Sequence, residues 1–397
     1  MWRTRQGRLA WSDFSPPSAQ IRPESSGPHN CGVKNWRRLR ESLSLNEAGA
    51  TPRLVSLRDS LQIPLDILAL GLSLPQRRLT ASNIFRSEAA RVKQQLDALS
   101  ESFRARLIPN LGIESVMCED RISSRDHGRK AAERALNAAE LSGNQLGLII
   151  DYTTFAADSP SIWSLGHDIQ QCLSATDALV LGIRGSGCCG LHVALRTAQA
   201  FFVSDPALEF ALLVASDRAP DGGRLCLPIS VMADAASAIV GARPEVRPNR
   251  IGRLRAVITQ SSGRFVDVIS SASLPSAITV DAAKFEQQVM PLHFVFLSRL
   301  LTRALVAADL SRAAITALIY PNTSERDRQS VIRALDFDSG CLLGPGPVNH
   351  GHAFANDLVI NAQALFTSVG TQSCVHSAWL AAGSGFTWGA AIIDAVG

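Results

Sequence analysis

The chain has 397 residues, 46% of them hydrophobic and 19% charged, and a formal net charge of +4. That length allows one large α/β domain or two ordinary ones around a sizeable core. A charge so small for the length gives no basis for binding nucleic acid or a membrane surface.

Residues 1–55 differ from the rest. They hold nine Lys/Arg against four acids, so the remainder is close to neutral, and three of the six tryptophans (Trp2, Trp11, Trp36). No helical or strand period persists there. The segment reads as a disordered extension or as sequence upstream of the native start, with a functional basic arm as the alternative.

From about residue 62 the pattern becomes α/β. Residues 63–72 (IPLDILALGL) predict an apolar first strand, and 86–108 have helical spacing. The Ala-rich stretch 126–142 predicts a second helix, 146–152 (LGLIIDY) a buried strand, 162–174 a helix and 178–183 (ALVLGI) a strand. After Gly190 the run LHVALRTAQAFF has helical period, and 210–216 (FALLVAS) is again strand-like. Residues 217–230 read as a loop. A second half in the same style starts near 231, with strands at 254–259 and 317–320, a long helix around 285–308, a glycine-rich turn at 383–389 and a strand at 390–395. Strands alternating with helices imply parallel or mixed sheets covered by helices. The expected division is therefore 1–55, 56–230 and 231–397.

The eight cysteines form no CxxC pair and no regular spacing, so no zinc site or disulfide framework is expected. No stretch reads as an apolar run of about 18–20 residues, the length that spans a bilayer. The arginine-containing N-terminus lacks the apolar core of a secretory signal. A cytoplasmic enzyme is the expectation.

Four segments carry candidate chemistry. The first, Arg184–Leu191 (RGSGCCGL), lies between a predicted strand and a predicted helix. A cysteine there sits at a helix N-terminus, where unpaired N–H groups and the dipole favour the thiolate. Gly185, Gly187 and Gly190 leave room for a substrate thioester. The alternative is a glycine-rich turn with two buried cysteines; two adjacent cysteines cannot both face one pocket, so one of them is structural. The others are Leu318–Arg326 (LIYPNTSER), Asn349–Asp357 (NHGHAFAND) and Ala381–Ala390 (AAGSGFTWGA).

Together these segments resemble the ketoacyl-ACP synthase III branch of the thiolase superfamily, over roughly residues 62–397. That branch carries a nucleophilic Cys in a small-residue motif, a His in P-H-Q-A-N, an Asn in G-N-T, and a closing G-G-G-F-T-W-G. Here S-G-C-C-G-L matches the first motif and G-S-G-F-T-W-G (Gly383–Gly389) the last. The middle pair is exchanged: Asn322 stands at the family His position and His352 at the Asn position, 30 residues apart. The segment 231–241 (VMADAASAIVG) also departs from the family's G-D-G-A.

The resemblance implies a five-layered αβαβα thiolase fold built from two similar halves, and a homodimer. It implies an acyltransferase, for acyl groups other than amino-acyl, with Cys188 as nucleophile and Asn322 and His352 as the other catalytic side chains. The backbone N–H groups of Cys188 and Ser384 would form the oxyanion hole. Asp357 is a possible orienting acid for His352, although five positions along a helix is poor geometry for contact. His350 reads as a loop residue. The implied substrates are acyl-CoA or acyl-carrier-protein thioesters, with no cofactor, no metal, no nucleic acid and no membrane partner. The exchanged pair points to acyl transfer to an alcohol, amine or thiol, or to condensation in specialised metabolism. The competing expectation is a catalytically inactive partner subunit of a heterodimeric synthase.

Overall fold

In this computed structural model the described residues are 64–97, 101, 107, 109–159, 164–244, 246–272, 277–370 and 373–397. Contacts divide the chain into Met1–Thr51 and Pro52–Gly397, and every described residue lies in the second unit. The expectation for residues 1–55, and parts of the helices expected at 86–108 and 162–174, fall outside the described residues.

Nine strands carry the fold: β1 (Leu65–Ser73), β2 (Leu148–Asp151), β3 (Leu179–Gly182), β4 (Phe210–Asp217), β5 (Ala235–Ala242), β6 (Gly252–Ser261), β7 (Ala317–Ile319), β8 (Cys374–Gly383) and β9 (Thr387–Val396). They run in the order β7-β8-β9-β6-β1-β5-β4-β2-β3. Seven helices matter here: α1 (Ala81–Asp97), α2 (Ser124–Ala138), α3 (Leu165–Cys172), α4 (Gly190–Ser204), α5 (Met290–Ala307), α6 (Glu325–Leu335) and α7 (Asn356–Ser368).

The pairing repeats. In the first half β1 is antiparallel to β5, β5 antiparallel to β4, β4 parallel to β2 and β2 parallel to β3. In the second half β6 is antiparallel to β9, β9 antiparallel to β8, and β8 parallel to β7. A parallel bridge between Leu318 and Leu342 stands where the fifth strand of that set belongs. The halves join through a short antiparallel pairing of Leu65–Ile67 with Gly252–Leu254. The buried Asp66 bonds Arg253 across this seam, at 2.5 and 2.9 Å. The second half therefore begins after Ala242. The boundary expected at 231 falls before β5, which belongs to the first set by its pairing with β1 and β4.

Strand alternation sorts side chains into layers. On β4, Ala211, Leu213 and Ala215 face a central core that also holds Leu195 and Ala198 of α4 and Leu358 and Ala362 of α7. Leu212 and Val214 face the opposite way, onto Ala131, Ala132 and Ala135 of α2 and Ile169 of α3. On β9, Ala391 and Ile393 join the central core, whereas Ala390 and Ile392 pack against Leu297, Leu301 and Ala304 of α5 and Val331 of α6. The result is αβαβα: α2 and α3 outside, a sheet, α4 and α7 in the middle, a sheet, then α5 and α6.

Strands β5 and β8 escaped the sequence reading. β5 (AASAIVGA) is buried at every position, so it shows no alternation. The expected loop at 217–230 contains a small pairing of Leu225–Cys226 with Ser230–Val231. The membrane expectation needs one correction. Residues Ala282–Ala307 form a helix long and apolar enough to cross a membrane by length and composition, and 44% of its most apolar window is buried. Leu297, Leu300 and Leu301 of that helix are core residues against the second sheet.

Candidate active site

Cys188 lies in a single 3-10 turn, Gly187–Cys189, that leads directly into α4. This is the strand-to-helix junction expected from sequence. Gly187 has φ +50, a left-handed conformation that suits glycine. Of the two neighbouring cysteines only one is available. Cys189 is fully buried, and its burial pushes the thiol far up, whereas Cys188 is half-buried and packs on the apolar cluster that contains Phe354, Phe386 and Cys226.

The glycine-rich turn between β8 and β9 presses on this loop. A Cβ built on Gly383 would fall 1.8 Å from the Ser186 carbonyl oxygen and 2.8 Å from the Cys188 nitrogen. One built on Gly187 would fall 2.6 Å from the Ser384 nitrogen. Neither position has room for a methyl group, because the backbones themselves are in contact. Ser384 and Cys188, the pair expected to supply oxyanion donors, are thereby neighbours.

His352 reaches Cys188 from the second half. Its Nε2 is 3.0 Å from Cys188 Sγ and its Nδ1 is 2.5 Å from Asp357 Oδ2. Both residues are essentially buried, at 2% and 0% exposure. The helical objection to Asp357 fails because His352 is not on the helix. It pairs as an isolated bridge with Met232, the chain then turns at Phe354 with φ +55, and α7 begins only at Asn356. The turn folds the first turn of α7 back onto the imidazole. Asp357 is also held by backbone donors: the Ala353 N–H donates to Oδ1 at 2.8 Å and the Asn322 N–H to Oδ2 at 2.7 Å.

Burial alone would discharge His352. The Cys188 sulfur and the Asp357 carboxylate outweigh it and hold the imidazole well above its usual range. The geometry is thus a contiguous Cys–His–Asp relay, the arrangement in which a base adjoins a thiol.

Asn322 joins this relay through its backbone, not its side chain. Its Oδ1 accepts from Arg328 Nη1 at 3.1 Å and from Asn361 Nδ2 at 3.0 Å, while its Nδ2 is buried without a partner among the described atoms. Arg328 and Asn361 thus occupy the side-chain oxygen of Asn322 and leave its Nδ2 as the side chain's one unengaged polar atom. Arg328 and Asn361 were missed in the sequence. Arg328 sits in a charged run (ERDR) that reads as a solvated helix face, yet it is 4% exposed and also donates to the Tyr320 carbonyl at 3.1 Å. His350 lies outside the relay; its main-chain carbonyl accepts from the Met117 N–H.

No family model matches the chain. A curated β-ketoacyl-[acyl-carrier-protein] synthase III from Pectobacterium atrosepticum is 26% identical over 145 residues, a stretch covering 35% of this chain and 43% of that protein. Among solved structures, an acyltransferase named ChlB3 superposes with TM-score 0.68 at 21% identity, covering 84% of this chain and 98% of that one. The 3-oxoacyl-[acyl-carrier-protein] synthase III of Aquifex aeolicus gives TM-score 0.66 at 18% identity over 83% and 99%. Xanthomonas campestris OleA gives 0.66 at 16% identity over 84% and 98%. These likenesses show the fold, which is the mixed α/β thiolase-like fold of the ketoacyl synthase III structures.

Proposed function

We propose that this chain, a divergent protein of the ketoacyl synthase III type, is an acyltransferase that works through an acyl-Cys188 intermediate. The observation that carries the reading is the relay from Cys188 Sγ through His352 to Asp357. The Cys188 thiolate attacks a thioester carbonyl, and the oxyanion draws on the N–H groups of Cys188 and Ser384. The departing thiolate takes the proton from His352 and leaves as a thiol. Neutral His352 then removes a proton from the acceptor, an alcohol, amine or thiol, as it attacks the acyl carbon. Cys188 is released as thiolate beside the re-formed imidazolium. A carboxylate behind the imidazole supports proton transfer, whereas decarboxylative condensation asks for two neutral donors on one oxygen. The likeness to ChlB3, named as an acyltransferase, agrees.

Condensation is the second reading, and the partnerless Nδ2 of Asn322 favours it, since that donor is free to hold an enolate oxygen. The departures from the family motifs favour specialised metabolism over housekeeping lipid synthesis. Thioesters of coenzyme A or of a carrier protein are the proposed donors. The free cysteines among the described residues suit a reducing cytoplasm. β3 ends the strand order and is partly exposed, with Leu179 at 49%, so its open edge suits pairing with a second copy.

The test is incubation with a panel of acyl-CoA thioesters followed by intact-mass spectrometry. Wild type gains one acyl mass and Cys188→Ala does not. An equal adduct on the variant, or none on wild type, overturns the proposal. Malonyl-dependent release of CO2 would move the assignment to condensation.

A further inference from the structure

At the opposite end of the β8–β9 hairpin from the catalytic turn lies a second group of ligating side chains. Residues two apart on a strand share a face, so Cys374 and His376 of β8 point the same way. Asp394 of β9 stands directly opposite His376 in the antiparallel register, which brings it to that face too. One ligand atom each from Cys374, His376 and Asp394 lie within 4.8 Å of one another. His376 Nδ1 and Asp394 Oδ1 are 2.7 Å apart, which already orients the imidazole. Cys374 is exposed and the other two are half-buried, so the group is open to solvent.

We propose that Cys374, His376 and Asp394 form a binding site for one divalent transition metal of the zinc type, with solvent completing the coordination. A thiolate, an imidazole and a carboxylate are a donor set that suits zinc. Around a tetrahedral zinc with bonds of about 2.0–2.3 Å, ligand atoms lie roughly 3.5 Å apart. The 2.7 Å Nδ1–Oδ1 pair must open by somewhat under an ångström and the Cys374 sulfur must draw in by about an ångström, which side-chain rotation supplies. On binding, the thiol gives its proton to solvent and the metal takes the place of the hydrogen between Nδ1 and Oδ1, with the imidazole proton moving to Nε2. One proton is released for each metal bound.

The surroundings are cationic. Arg255 Nη1 lies 3.6 Å from Asp394 Oδ2, and the charge of Arg250 also acts on Cys374. Arg255 engages the second carboxylate oxygen and leaves Oδ1 for the metal. The thiolate and carboxylate carry two negative charges, so the loaded site is neutral and these guanidinium groups meet no net positive charge. No CxxC signature announces the site because its ligands come from two strands, and only their register brings them together.

The experiment is titration of the full-length protein with Co2+, read by the thiolate-to-metal charge-transfer absorption and the intense visible bands of a tetrahedral site. Wild type binds one Co2+ with these bands, zinc displaces it, and Cys188→Ala behaves identically. Cys374→Ser loses the charge-transfer band, and both Cys374→Ser and His376→Ala weaken binding more than tenfold. Acylation of Cys188 serves as the folding check on both variants. Absence of the bands from wild type, their persistence in Cys374→Ser, or their loss in Cys188→Ala overturns the proposal.

Discussion

Replacing Asp357 by Asn removes one charge from the relay at constant shape. The carboxylate accepts from the His352 ring at 2.5 Å and from two main-chain N–H groups at 2.7 and 2.8 Å. An amide offers one acceptor oxygen for three donors, so the backbone pair competes with the ring for it. A hydrogen bond to a charged group is worth about 1.5–3 kcal/mol, and each 1.36 kcal/mol is tenfold in rate. Losing that bond to the imidazolium lowers turnover about 10- to 150-fold, and more if the ring adopts the wrong tautomer. The pH profile changes in a defined direction. In the wild type His352 is held above its usual range, so the imidazolium that protonates the departing thiolate persists until pH rises through that elevated value. Without the Asp357 charge the alkaline limb of Cys188 acylation moves to lower pH. The assay is stopped-flow acyl transfer from a chromogenic thioester across a pH series, with circular dichroism confirming the fold. Turnover within threefold of wild type on an unshifted alkaline limb would refute the relay.

Gly383→Ala places a methyl group against the Ser186 carbonyl and the Cys188 nitrogen. Such overpacking costs about 1–3 kcal/mol, so thermal melting shifts down and acyl-adduct formation slows, while Gly370→Ala, nearest to the Ser373 hydroxyl at 3.6 Å, changes neither. Glu119 supplies a stability prediction. Burial opposes its charge, but N–H donors from Arg121 and Ile122 and the His127 ring prevail and take the carboxyl from 4.5 down to about 2. A depressed carboxyl stabilises the fold fully above its unfolded value and loses that contribution as pH falls toward about 2. Urea unfolding across pH 2–6 therefore shows a shallower acid decline in Glu119→Gln than in wild type.

The candidate nucleophile was legible because a glycine-rich strand-to-helix junction is local. Its flanking residues, the helical run after Gly190 and the buried strand before it all lie within one stretch of sequence. The closing turn was legible for the same reason. The role of Asp357 was not, because it depends on where α7 starts. The left-handed Phe354 that turns the chain before that helix carries no sequence signature, and counting along a continuous helix sent the carboxylate away from the ring. Asn322 was singled out by its position after a strand, but nothing local showed that its backbone N–H joins the relay while Arg328 and Asn361 bind its side-chain oxygen. Strand β5 was hidden because both its faces are buried and its residues are small, leaving neither period nor bulk to read.

The relay draws its parts from both halves. Cys188 comes from the first, and its base lies 164 residues away in the second. The turn that walls Cys188 arrives later still, with β8 and β9. A contact of such long sequence separation forms only once the loop-closure entropy has been met. A chain still being synthesised holds a cysteine with no base to activate it. Under the proposed mechanism, the rate at which Cys188 becomes acylated during refolding reports the docking of the second half onto the first.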